Sequence, residues 1–424
     1  MNIECYPRVL VVSNNSFSLS NSNGRTLGLL FKDWPKDKLC QFCITSDGPD
    51  WDVCNDYFCV SDKQVLKSTL TLIPVKRNDL TLYKTSRNQE TKRIKRTSIK
   101  SLVRHLIWNL GIWGVRDFKR WVKGFCPEIV VIQSGDTAFT HDLARKISIK
   151  YHAKLVFFNT EGIYFLEKNY LYKGFLDSLF FPLYKMIYRQ SYRKAMKRAS
   201  YAFYLNEFIQ KDNYLFKVPS TVIYNTTNIL EKGKFIINIK QPVVSYFGNM
   251  GFDRSKVLVE VAALLRETNN NIIFNVYGKG FSDAIQRLKE CPNINYYGFL
   301  PYSQIQSVIR ESDILLHVES QDPKYSESLK YAFSTKIADC LGSNRPFLLY
   351  SSRKIACAQY LIENDCAWFS DNPNSFKEMV ESILYDEKVR IRKLNNALRI
   401  VEKNHSSKVN SVIFQKKLIA LNIS

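Results

Sequence analysis

The sequence predicts an α/β protein built from two doubly wound domains. Short apolar runs alternate with amphipathic stretches from one end of the 424 residues to the other, which is typical of βαβ units with parallel sheets. A chain of this length exceeds one ordinary hydrophobic core, so more than one domain is expected. The polar stretch NEFIQKDNYLFKVPSTVIYNTTN interrupts the pattern and predicts a domain boundary near residue 218.

The predicted strands fall into two groups along the chain. Residues 1–217 form the predicted N-terminal domain, with the strands RVLVVS, LCQFCIT, EIVVIQ, AKLVFF and YAFYL. Residues 218–405 form the predicted C-terminal domain, with the strands STVIY, PVVSYFG, NIIFNVYG, NINYYG, DILLHV and PFLLYS. Residues 406–424 predict a helix that packs back toward the N-terminal domain. Because open parallel sheets bind ligands beyond the carboxyl ends of their strands, two facing sheets predict one cleft.

The net charge is the strongest global signal. A formal charge of +22 indicates an anionic partner, such as a phosphate-bearing ligand, an acidic lipid or a nucleic acid. The composition, 45% apolar and 24% charged, is that of a folded protein rather than a disordered one. No secretory signal is recognised, and the uncharged stretch HLIWNLGIWGV is too short to cross a bilayer. We therefore expect a cytoplasmic protein, with contact to a membrane surface left open.

The cysteines allow two interpretations. Ten cysteines without a regular framework indicate reduced thiols. Cys40 and Cys43 form a C-x-x-C, with Cys54 and Cys59 downstream, and such thiolates can hold zinc. In the alternative, KLCQFCIT is a buried strand that uses Cys as a small apolar residue.

Candidate ligand-binding residues follow several predicted strands. Gly24 precedes a helical pattern, and glycine allows a ligand to approach the backbone closely. In YFGNMGFDRSK, Gly248 and Asn249 end a strand, and Arg254 and Lys256 lie in the first turn of the next helix. The macrodipole disfavours cations at a helix N-terminus, so two cations there indicate that an anion is bound. The alternative is a solvated helix start.

Three further segments also place candidate ligand-binding residues at the end of a predicted strand or the start of a predicted helix. VYGKGF puts Gly278 at a strand end, and DILLHVES puts Glu319 at the end of another. In KYAFSTKIADCLGSNRPFLLY, Lys336 lies one helical turn before Asp339 and just ahead of a predicted buried strand. Such a pair can hold the charged and the hydroxylated parts of one ligand.

These segments carry a family resemblance. FSTKIADCLGSNRPFLLYSS resembles the segment S-K-x-x-D/E-Y-L-x-x-G-K-P of family 4 glycosyltransferases, which have the GT-B fold of two facing Rossmann-like domains. The resemblance spans nearly the whole chain and extends to VVSNNSFSLSNSNGRTL, PEIVVIQSGDTAF, FFNTEGIYF, VIYNTTN, YFGNMGFDR and HVES. Some of these pieces resemble bacterial enzymes that build cell-surface polysaccharide, such as O-antigen or capsule.

The resemblance implies an activity and roles for residues. It implies a retaining hexosyltransferase that takes its sugar from a UDP- or GDP-sugar and requires neither a metal nor another cofactor. Asp339 would bind the nucleotide ribose, Lys336 and Arg254 would face the diphosphate, and Glu319 would lie near the donor sugar. The implied catalytic residues are Glu319, Arg254 and Lys336. The implied nucleotide-sugar site consists of Gly24, Gly248, Asn249, Arg254, Lys256, Gly278, Lys336 and Asp339.

The sequence departs from the family pattern at two positions. Tyr331 stands where the first Glu of the common E-x7-E pair is expected, and Glu161 stands where a His usually follows the LVFF strand. Asp50 and Asp52 form a D-x-D, the manganese-binding signature of the other large glycosyltransferase fold. That motif here lies in an early loop with a full second domain downstream, so the metal-free interpretation is favoured.

The basic surplus suggests where the acceptor is found. Residues 84–121 and 168–198 combine many Lys and Arg with aromatic residues, among them Trp108, Trp113 and Trp121. Cations beside interfacial aromatics suit an anionic membrane surface and predict a lipid-linked saccharide acceptor at the inner leaflet of the plasma membrane. The alternatives are a solvated basic face, or a protein that binds nucleic acid or another polyanion without catalysis. No nucleic-acid-binding module is recognisable, so no nucleic acid partner is predicted.

Overall fold

The chain divides into two compact units. The structure is a computed structural model that describes residues 6–18, 22–45, 48–75, 97–111, 113–168 and 175–423. Unit 1 comprises Met1–Tyr224 and Asn410–Ser424, and unit 2 comprises Asn225–Val409. The division therefore lies a few residues beyond the boundary expected at 217/218, and most of the C-terminal helix belongs to unit 1.

Unit 1 is built on a seven-stranded parallel sheet. Its strands are β1 (Val9–Asn15), β2 (Leu39–Thr45), β3 (Asp56–Cys59), β4 (Ile129–Ser134), β5 (Lys154–Asn159), β6 (Ala199–Tyr204) and β7 (Ser220–Val222). They lie in the order β3-β2-β1-β4-β5-β6-β7, and every neighbouring pair is parallel. β1 and β4 form the buried centre and read as continuous apolar runs, as expected for a sheet covered on both faces.

Helices cover the sheet of unit 1. They are α1 (Ser22–Leu30), α2 (Asp62–Thr71), α3 (Ser98–Asn109), α4 (Val115–Phe125), α5 (Ala138–Lys150), α6 (Phe175–Met196) and α7 (Glu207–Asn213), with short 3-10 turns at Lys36–Lys38, Ile163–Phe165 and Tyr214–Phe216. Local sequence explains several helix starts. Ser61 and Gln64, for example, form a reciprocal capping box that satisfies the free N–H groups at the start of α2.

Unit 2 is built on a six-stranded parallel sheet. Its strands are β8 (Val243–Asn249), β9 (Ile273–Lys279), β10 (Asn295–Gly298), β11 (Ile314–Val318), β12 (Phe347–Tyr350) and β13 (Trp368–Ser370), in the order β10-β9-β8-β11-β12-β13. Its helices are α8 (Arg254–Thr268), α9 (Ser282–Glu290), α10 (Tyr302–Glu311), α11 (Ser326–Leu329), α12 (Lys336–Gly342), α13 (Ala356–Glu363), α14 (Pro373–Tyr385) and α15 (Glu387–Ile400), with a 3-10 turn at Pro323–Tyr325 and a π-helical turn at Val401–His405.

The last helix, α16 (Ser407–Ile423), closes the core of unit 1. Phe414 is fully buried, and its ring centroid lies 4.7 Å from that of Phe203 and 5.1 Å from that of Phe31. The side chain of Gln415 donates hydrogen bonds to the carbonyl oxygens of Leu30, the last residue of α1, and of Lys32 just beyond it. The apolar face of α16 therefore packs on the aromatic core of unit 1.

The predicted α/β architecture is confirmed, with three corrections to the strands. STVIY was assigned to the C-terminal domain, but β7 pairs with β6 in the sheet of unit 1. β3 and β13 are short strands that the sequence analysis did not predict.

The cysteine expectation also requires a correction. Cys43 and Cys59 are registered partners on β2 and β3 and form a disulfide, so these two thiols are not free and cannot ligate zinc together with Cys40. Among the described residues, no group of three or more His, Cys, Asp or Glu is placed to hold a metal ion. Within the same residues, no helix is both long and apolar enough to span a bilayer.

The glycine of the motif KIADCLGSNRP is Gly342, the last residue of α12, and the packing of the neighbouring chain requires it. A Cβ atom on Gly342 would lie only 2.1 Å from the carbonyl oxygen of Ile229, while the Gly342 carbonyl accepts a hydrogen bond from Glu231 N–H at 2.8 Å. The chain at residues 229–231 therefore crosses α12 too closely for any side chain at position 342.

We expect Gly342→Ala to destabilise the protein by about 1–3 kcal/mol, because the added methyl group must displace backbone. Urea unfolding followed by circular dichroism measures this. Gly124→Ala in the last turn of α4 is the matched control, since among the described residues no atom other than those of its chain neighbours and of its own helix backbone lies within 4 Å of its Cβ position. Equal stabilities of the two variants would contradict the close crossing.

Candidate functional site

The candidate site lies at the carboxyl edge of the sheet of unit 2. The chain runs from β8 through β9 to β10 at one side of the sheet and then returns to β11, which pairs with β8 on the other side. β8 and β11 therefore mark a topological switch point, where open α/β sheets bind ligands. Arg254 opens the helix after β8, and Glu319 directly follows β11.

Arg254 and Glu319 form a buried, bidentate ion pair. Arg254 Nε donates to Glu319 Oε2 at 2.8 Å, and Nη2 donates to Oε1 at 2.8 Å. The remaining Nη1 reaches the carbonyl oxygens of Gly251 at 3.3 Å and Asn249 at 3.4 Å, so the guanidinium also fixes the turn between β8 and α8. The two side chains are only 12% and 2% exposed. Parallel N–H···O pairs of this kind restrict both charged groups to one geometry.

His317 is the third member of this cluster. It lies two residues before Glu319, and its Nε2 lies 3.1 Å from Glu319 Oε1. Burial is the main cause that lowers the pKa of His317 to about 4, so the ring is neutral at physiological pH. Burial alone would raise the pKa of Glu319, but the charge of Arg254 and the contact with His317 outweigh it and lower that pKa to about 2. The carboxylate is therefore permanently charged.

Lys336 is buried beside this ion pair. Its Nζ donates to the carbonyl oxygen of Phe247 at 2.5 Å and lies 3.9 Å from the centre of the Tyr246 ring. A Cβ on Gly248 would lie 2.9 Å from Nζ, so glycine makes room for the ammonium. Burial lowers the pKa of Lys336 to about 7, which makes this amine readily protonated or deprotonated near neutral pH.

Asp339 lies one turn further along α12 and is also buried. Its Oδ1 accepts hydrogen bonds from Thr227 Oγ1 at 2.6 Å and from Tyr302 Oη at 3.1 Å. Thr227 is itself fixed, because its N–H donates to the carbonyl oxygen of His405 at 2.9 Å. The carboxylate is therefore held in one orientation by residues from distant parts of unit 2.

Gly278 has a packing role that the sequence did not reveal. Gly248 and Gly278 are registered partners on β8 and β9. A Cβ on Gly278 would lie 1.8 Å from the carbonyl oxygen of Gly248, so only glycine fits at this strand end. The two glycines let the ends of β8 and β9 approach each other next to Lys336.

Two predicted residues lie outside the cluster. Lys256 is more than half exposed, and its Nζ pairs with Asp253 Oδ2 at 3.0 Å. Gly24 belongs to unit 1, where a Cβ would lie 2.3 Å from the carbonyl oxygen of Ser16, which gives it a packing reason of its own. The D-x-D motif forms a tight turn in which Asp50 Oδ1 accepts from Asp52 N–H at 3.0 Å.

Sequence reasoning missed His317, Thr227 and Tyr302. His317 could have been found, because residues two apart on a strand share a face and Glu319 was already a candidate. Thr227 and Tyr302 gave no local signal. They meet Asp339 across 112 and 37 residues of chain.

A second polar cluster, also missed, lies at the switch point of unit 1 between β1 and β4. Asn14 Nδ2 donates to Asp136 Oδ1 at 2.9 Å, and Thr137 Oγ1 donates to Asn14 Oδ1 at 3.0 Å. Arg104 Nη1 lies 3.5 Å from the same Asp136 oxygen. Arg104, Asp136 and Thr137, with Tyr184, line a small cavity beside α3 and α6.

The predicted basic and aromatic patches are only partly described. Residues 84–96 and 169–174 lie outside the described residues. Trp108 and Trp113 are buried, with Trp108 stacked on Phe139 at 4.2 Å, so they are core residues rather than interfacial aromatics. Trp121 donates to Asp56 Oδ2 at 2.8 Å. The sequence could not separate core tryptophans from exposed ones.

Comparison with known proteins shows a partial family match and a shared fold. Residues 254–411 match the family model described as glycosyl transferase-like. No curated protein matches the chain. Similar solved structures include HepE from Anabaena in complex with UDP, at 12% identity and a TM-score of 0.61, with 97% of this chain and 100% of that chain covered. Sucrose-phosphate synthase from Thermosynechococcus elongatus has 11% identity and a TM-score of 0.65, with 98% and 99% covered.

A third similar structure is WaaG, a glycosyltransferase involved in lipopolysaccharide biosynthesis, at 12% identity and a TM-score of 0.58, with 96% of this chain and 99% of that chain covered. The similarity extends over both units in each case. The predicted GT-B fold, and with it the resemblance to GT-B glycosyltransferases, is confirmed.

The burial of Lys336 predicts a pH dependence of stability. Its pKa of about 7 in the folded protein lies below the ordinary value of 10.5, so the unfolded chain binds more protons between these values. Stability contributed through Lys336 therefore rises with pH in this window, by up to about 1.4 kcal/mol per pH unit. Urea unfolding of the wild type and of Lys336→Met between pH 7.5 and 9.5 measures this.

We expect the wild type to gain stability relative to Lys336→Met as the pH rises, because methionine fills a similar volume without a titrating group. Other groups titrate equally in both proteins and cancel in the difference. A constant difference across the window would show that Lys336 keeps its ordinary pKa.

Proposed function

We propose that the protein is a retaining, metal-independent family 4 glycosyltransferase that moves a hexose from a nucleotide-sugar to a lipid-linked saccharide. The observation that carries the donor half of this proposal is the cluster of Arg254, Glu319 and Lys336 beside Asp339 at the switch point of unit 2. The pathway that fits such a reaction is the synthesis of bacterial cell-surface polysaccharide, such as O-antigen or capsule.

The buried cations suit a leaving diphosphate. Cleavage of a sugar–phosphate bond builds negative charge on the diphosphate, and fixed cations in a site shielded from water stabilise that charge without reorganisation. Glu319 balances Arg254, so a protonated Lys336 supplies the net positive charge. Because the pKa of Lys336 is about 7, a diphosphate bound nearby would draw a proton onto this amine.

Asp339 suits the ribose of the nucleotide. Hydroxyl groups of a ribose donate hydrogen bonds, and a carboxylate accepts them. Thr227 and Tyr302 hold the carboxylate in place before any ligand arrives, so little side-chain entropy is lost on binding. In the same proposal, Glu319 lies near the donor sugar and positions Arg254, while Gly248, Asn249 and Gly278 shape the backbone around the diphosphate.

A UDP-sugar is the donor that the comparisons favour. The structures of HepE contain UDP, or UDP-glucose, and a structure of TarM from S. aureus contains UDP. GDP-sugars remain the second donor class in the proposal, because the proposed roles of Asp339, Lys336 and Arg254 concern the ribose and the diphosphate and do not concern the base.

We assign the acceptor to unit 1 and to a membrane surface. The polar cluster of Asn14, Asp136, Thr137 and Arg104 offers donors and acceptors suited to sugar hydroxyl groups. The charge of +22 favours an anionic inner leaflet as the place where the lipid-linked acceptor is met, with the protein bound peripherally from the cytoplasm. WaaG, which has the same fold, is a glycosyltransferase involved in lipopolysaccharide biosynthesis.

The alternative function is that of a polyanion-binding protein without catalysis, and the net charge of +22 supports it as well. It predicts affinity that depends on exposed cations and falls steeply with salt. The buried position of Arg254 and Lys336 favours a small ligand instead, because a long polyanion reaches only surface charges.

A thermal-shift panel tests the donor site. We expect UDP or GDP, or one of their sugars, to raise the melting temperature in a saturable way, because a ligand that binds only the folded state stabilises it. Asp339→Asn should lose most of this response. A carboxylate can accept hydrogen bonds from ribose hydroxyl groups at both of its oxygens, whereas an amide can accept them only at one.

Asp283→Asn at the exposed start of α9 is the matched control and should respond like the wild type. Salt-dependent binding to random DNA together with no response to any nucleotide would instead support the polyanion-binding alternative.

Removal of the ion pair tests catalysis. We expect the double variant Arg254→Gln/Glu319→Gln to slow turnover of the active nucleotide-sugar by about 100-fold, since one lost donor to a developing anion commonly costs about 3 kcal/mol of barrier. The double change avoids an unpaired buried charge, which would itself strongly destabilise the protein. Release of the nucleoside diphosphate measures the rate.

The control removes one cation from the far end of the same helix. Arg266→Gln lies in the last turn of α8 and should turn over the donor within a few-fold of the wild-type rate. If both variants retain wild-type turnover, the cluster has no catalytic role.

A further inference from the structure

Three helices of unit 1 carry aliphatic residues on their solvent-facing sides. The exposed stripe of α3 consists of Val103 and Leu106 and continues in Leu110 directly after the helix. The half-buried Ile99 precedes them at a spacing that places it on the same helix face. The buried residue Trp108 lies on the opposite face. Leu106, for example, is 59% exposed. A surface helix of a monomeric protein normally has polar residues on its solvent-facing side, so this exposed apolar stripe requires an explanation.

The same feature recurs on α6 and α2. On α6, the exposed residues Phe175, Leu179, Leu183 and Met186 share one face, while Tyr188, Ser191, Tyr192 and Ala195 are buried on the opposite face. On α2, Leu66 and Leu70 point away from the buried residues Val65 and Ser68, and Leu72 and Ile73 follow. Phe175 is 84% exposed and Leu70 is 75% exposed.

The three helices are neighbours. Ser98 N–H at the start of α3 donates to Asp177 Oδ1 in the first turn of α6 at 2.5 Å. Arg104 Nε in the middle of α3 donates to Asp62 Oδ1 at the start of α2 at 2.9 Å. The exposed apolar residues therefore lie on three adjoining helices of unit 1, whose outer surface is called the α2–α3–α6 face below. Grouped exposure of this kind marks an interaction surface.

Cations accompany this apolar surface. Lys63 and Lys67 alternate with Leu66 and Leu70 on the same face of α2, and Arg193, Lys194 and Lys197 are exposed at the end of α6. The acidic residues of the three helices are Asp62 and Asp177. Asp62 is paired with Arg104, and Asp177 is buried against Ser98 N–H. The face therefore presents positive charge without an uncompensated carboxylate.

We propose that the α2–α3–α6 face docks on the surface of an anionic lipid bilayer. The aliphatic stripes enter the boundary between headgroups and acyl chains, and the lysines meet acidic headgroups. This inference deepens the proposed function and rests on it, since a lipid-linked acceptor requires the protein to work at a membrane surface. It replaces the predicted contact through Trp108 and Trp113, which are buried.

The charges favour a bilayer over a second copy of the chain. A symmetric dimer through this face would bring Lys63 and Lys67 of one copy against the same region of the other. No free carboxylate on the three helices could compensate them, and each chain carries a charge of +22. An anionic bilayer neutralises these charges instead.

Vesicle co-sedimentation tests the proposal. The full chain is mixed with vesicles of phosphatidylglycerol and phosphatidylcholine, or of phosphatidylcholine alone. We expect binding to the mixed vesicles and at least about tenfold weaker binding to phosphatidylcholine alone. The variant Val103→Ser/Leu106→Ser/Leu110→Ser should bind the mixed vesicles at least about tenfold more weakly than the wild type, as should Lys63→Glu/Lys67→Glu.

The matched control is Ile236→Ser/Tyr385→Ser/Ile391→Ser, which changes three exposed apolar residues of unit 2. It should bind like the wild type. Wild-type binding by the α3 variant, or equal binding to both vesicle types, would overturn the proposal. So would a wild-type dimer in sedimentation velocity that the α3 variant abolishes, because the face would then be a contact between copies.

The nucleotide response separates this inference from the proposed function. The α3 variant should keep its thermal shift with the active nucleotide, since its changes lie in unit 1 and spare the cluster in unit 2. A nucleotide response without vesicle binding would remove only the docking inference. Vesicle binding without any nucleotide response would remove the proposed glycosyltransferase activity and leave a membrane-binding protein.

Discussion

The salt bridge between Arg254 and Glu319 is the interaction on which the site in unit 2 depends. A buried charge without a partner costs several kcal/mol, so each of these side chains requires the other. Their bidentate contact also joins the start of α8 to the end of β11, while the third guanidinium nitrogen fixes the turn after β8. The two strands at the switch point of the sheet are thereby locked in the arrangement that brings polar groups to one edge.

Lys336 and Asp339 use the order that this salt bridge imposes. Lys336 enters a space that exists because Gly248 lacks a side chain, and it contacts the carbonyl oxygen of Phe247 on the same strand end. Burial makes its charge responsive near neutral pH, whereas the charge of Glu319 is permanent. One fixed ion pair and one adjustable cation form a site that can receive additional negative charge without building a strongly positive interior.

The two units carry different kinds of surface. The candidate donor site of unit 2 is a buried cluster, in which geometry and low solvent exposure give each charge a large effect. The α2–α3–α6 face of unit 1 is exposed, aliphatic and cationic, which suits attachment to an extended anionic surface rather than recognition of one small molecule. The proposed transfer from a water-soluble donor to a lipid-linked acceptor would use both properties.

The sequence by itself determined the two parallel sheets, because alternating apolar runs and amphipathic stretches are local patterns. It also placed Arg254, Glu319, Lys336 and Asp339 at strand ends and helix starts for the same reason. Only the tertiary structure decided the partners: Arg254 meets Glu319 across 65 residues of chain, and Lys336 meets Phe247 across 89. It likewise decided that Trp108 is buried while Leu106 is exposed. Such pairings depend on the order of the strands in the sheet and on which face of a helix is covered. The spacing of neighbouring residues in the sequence determines neither the strand order nor the covered face.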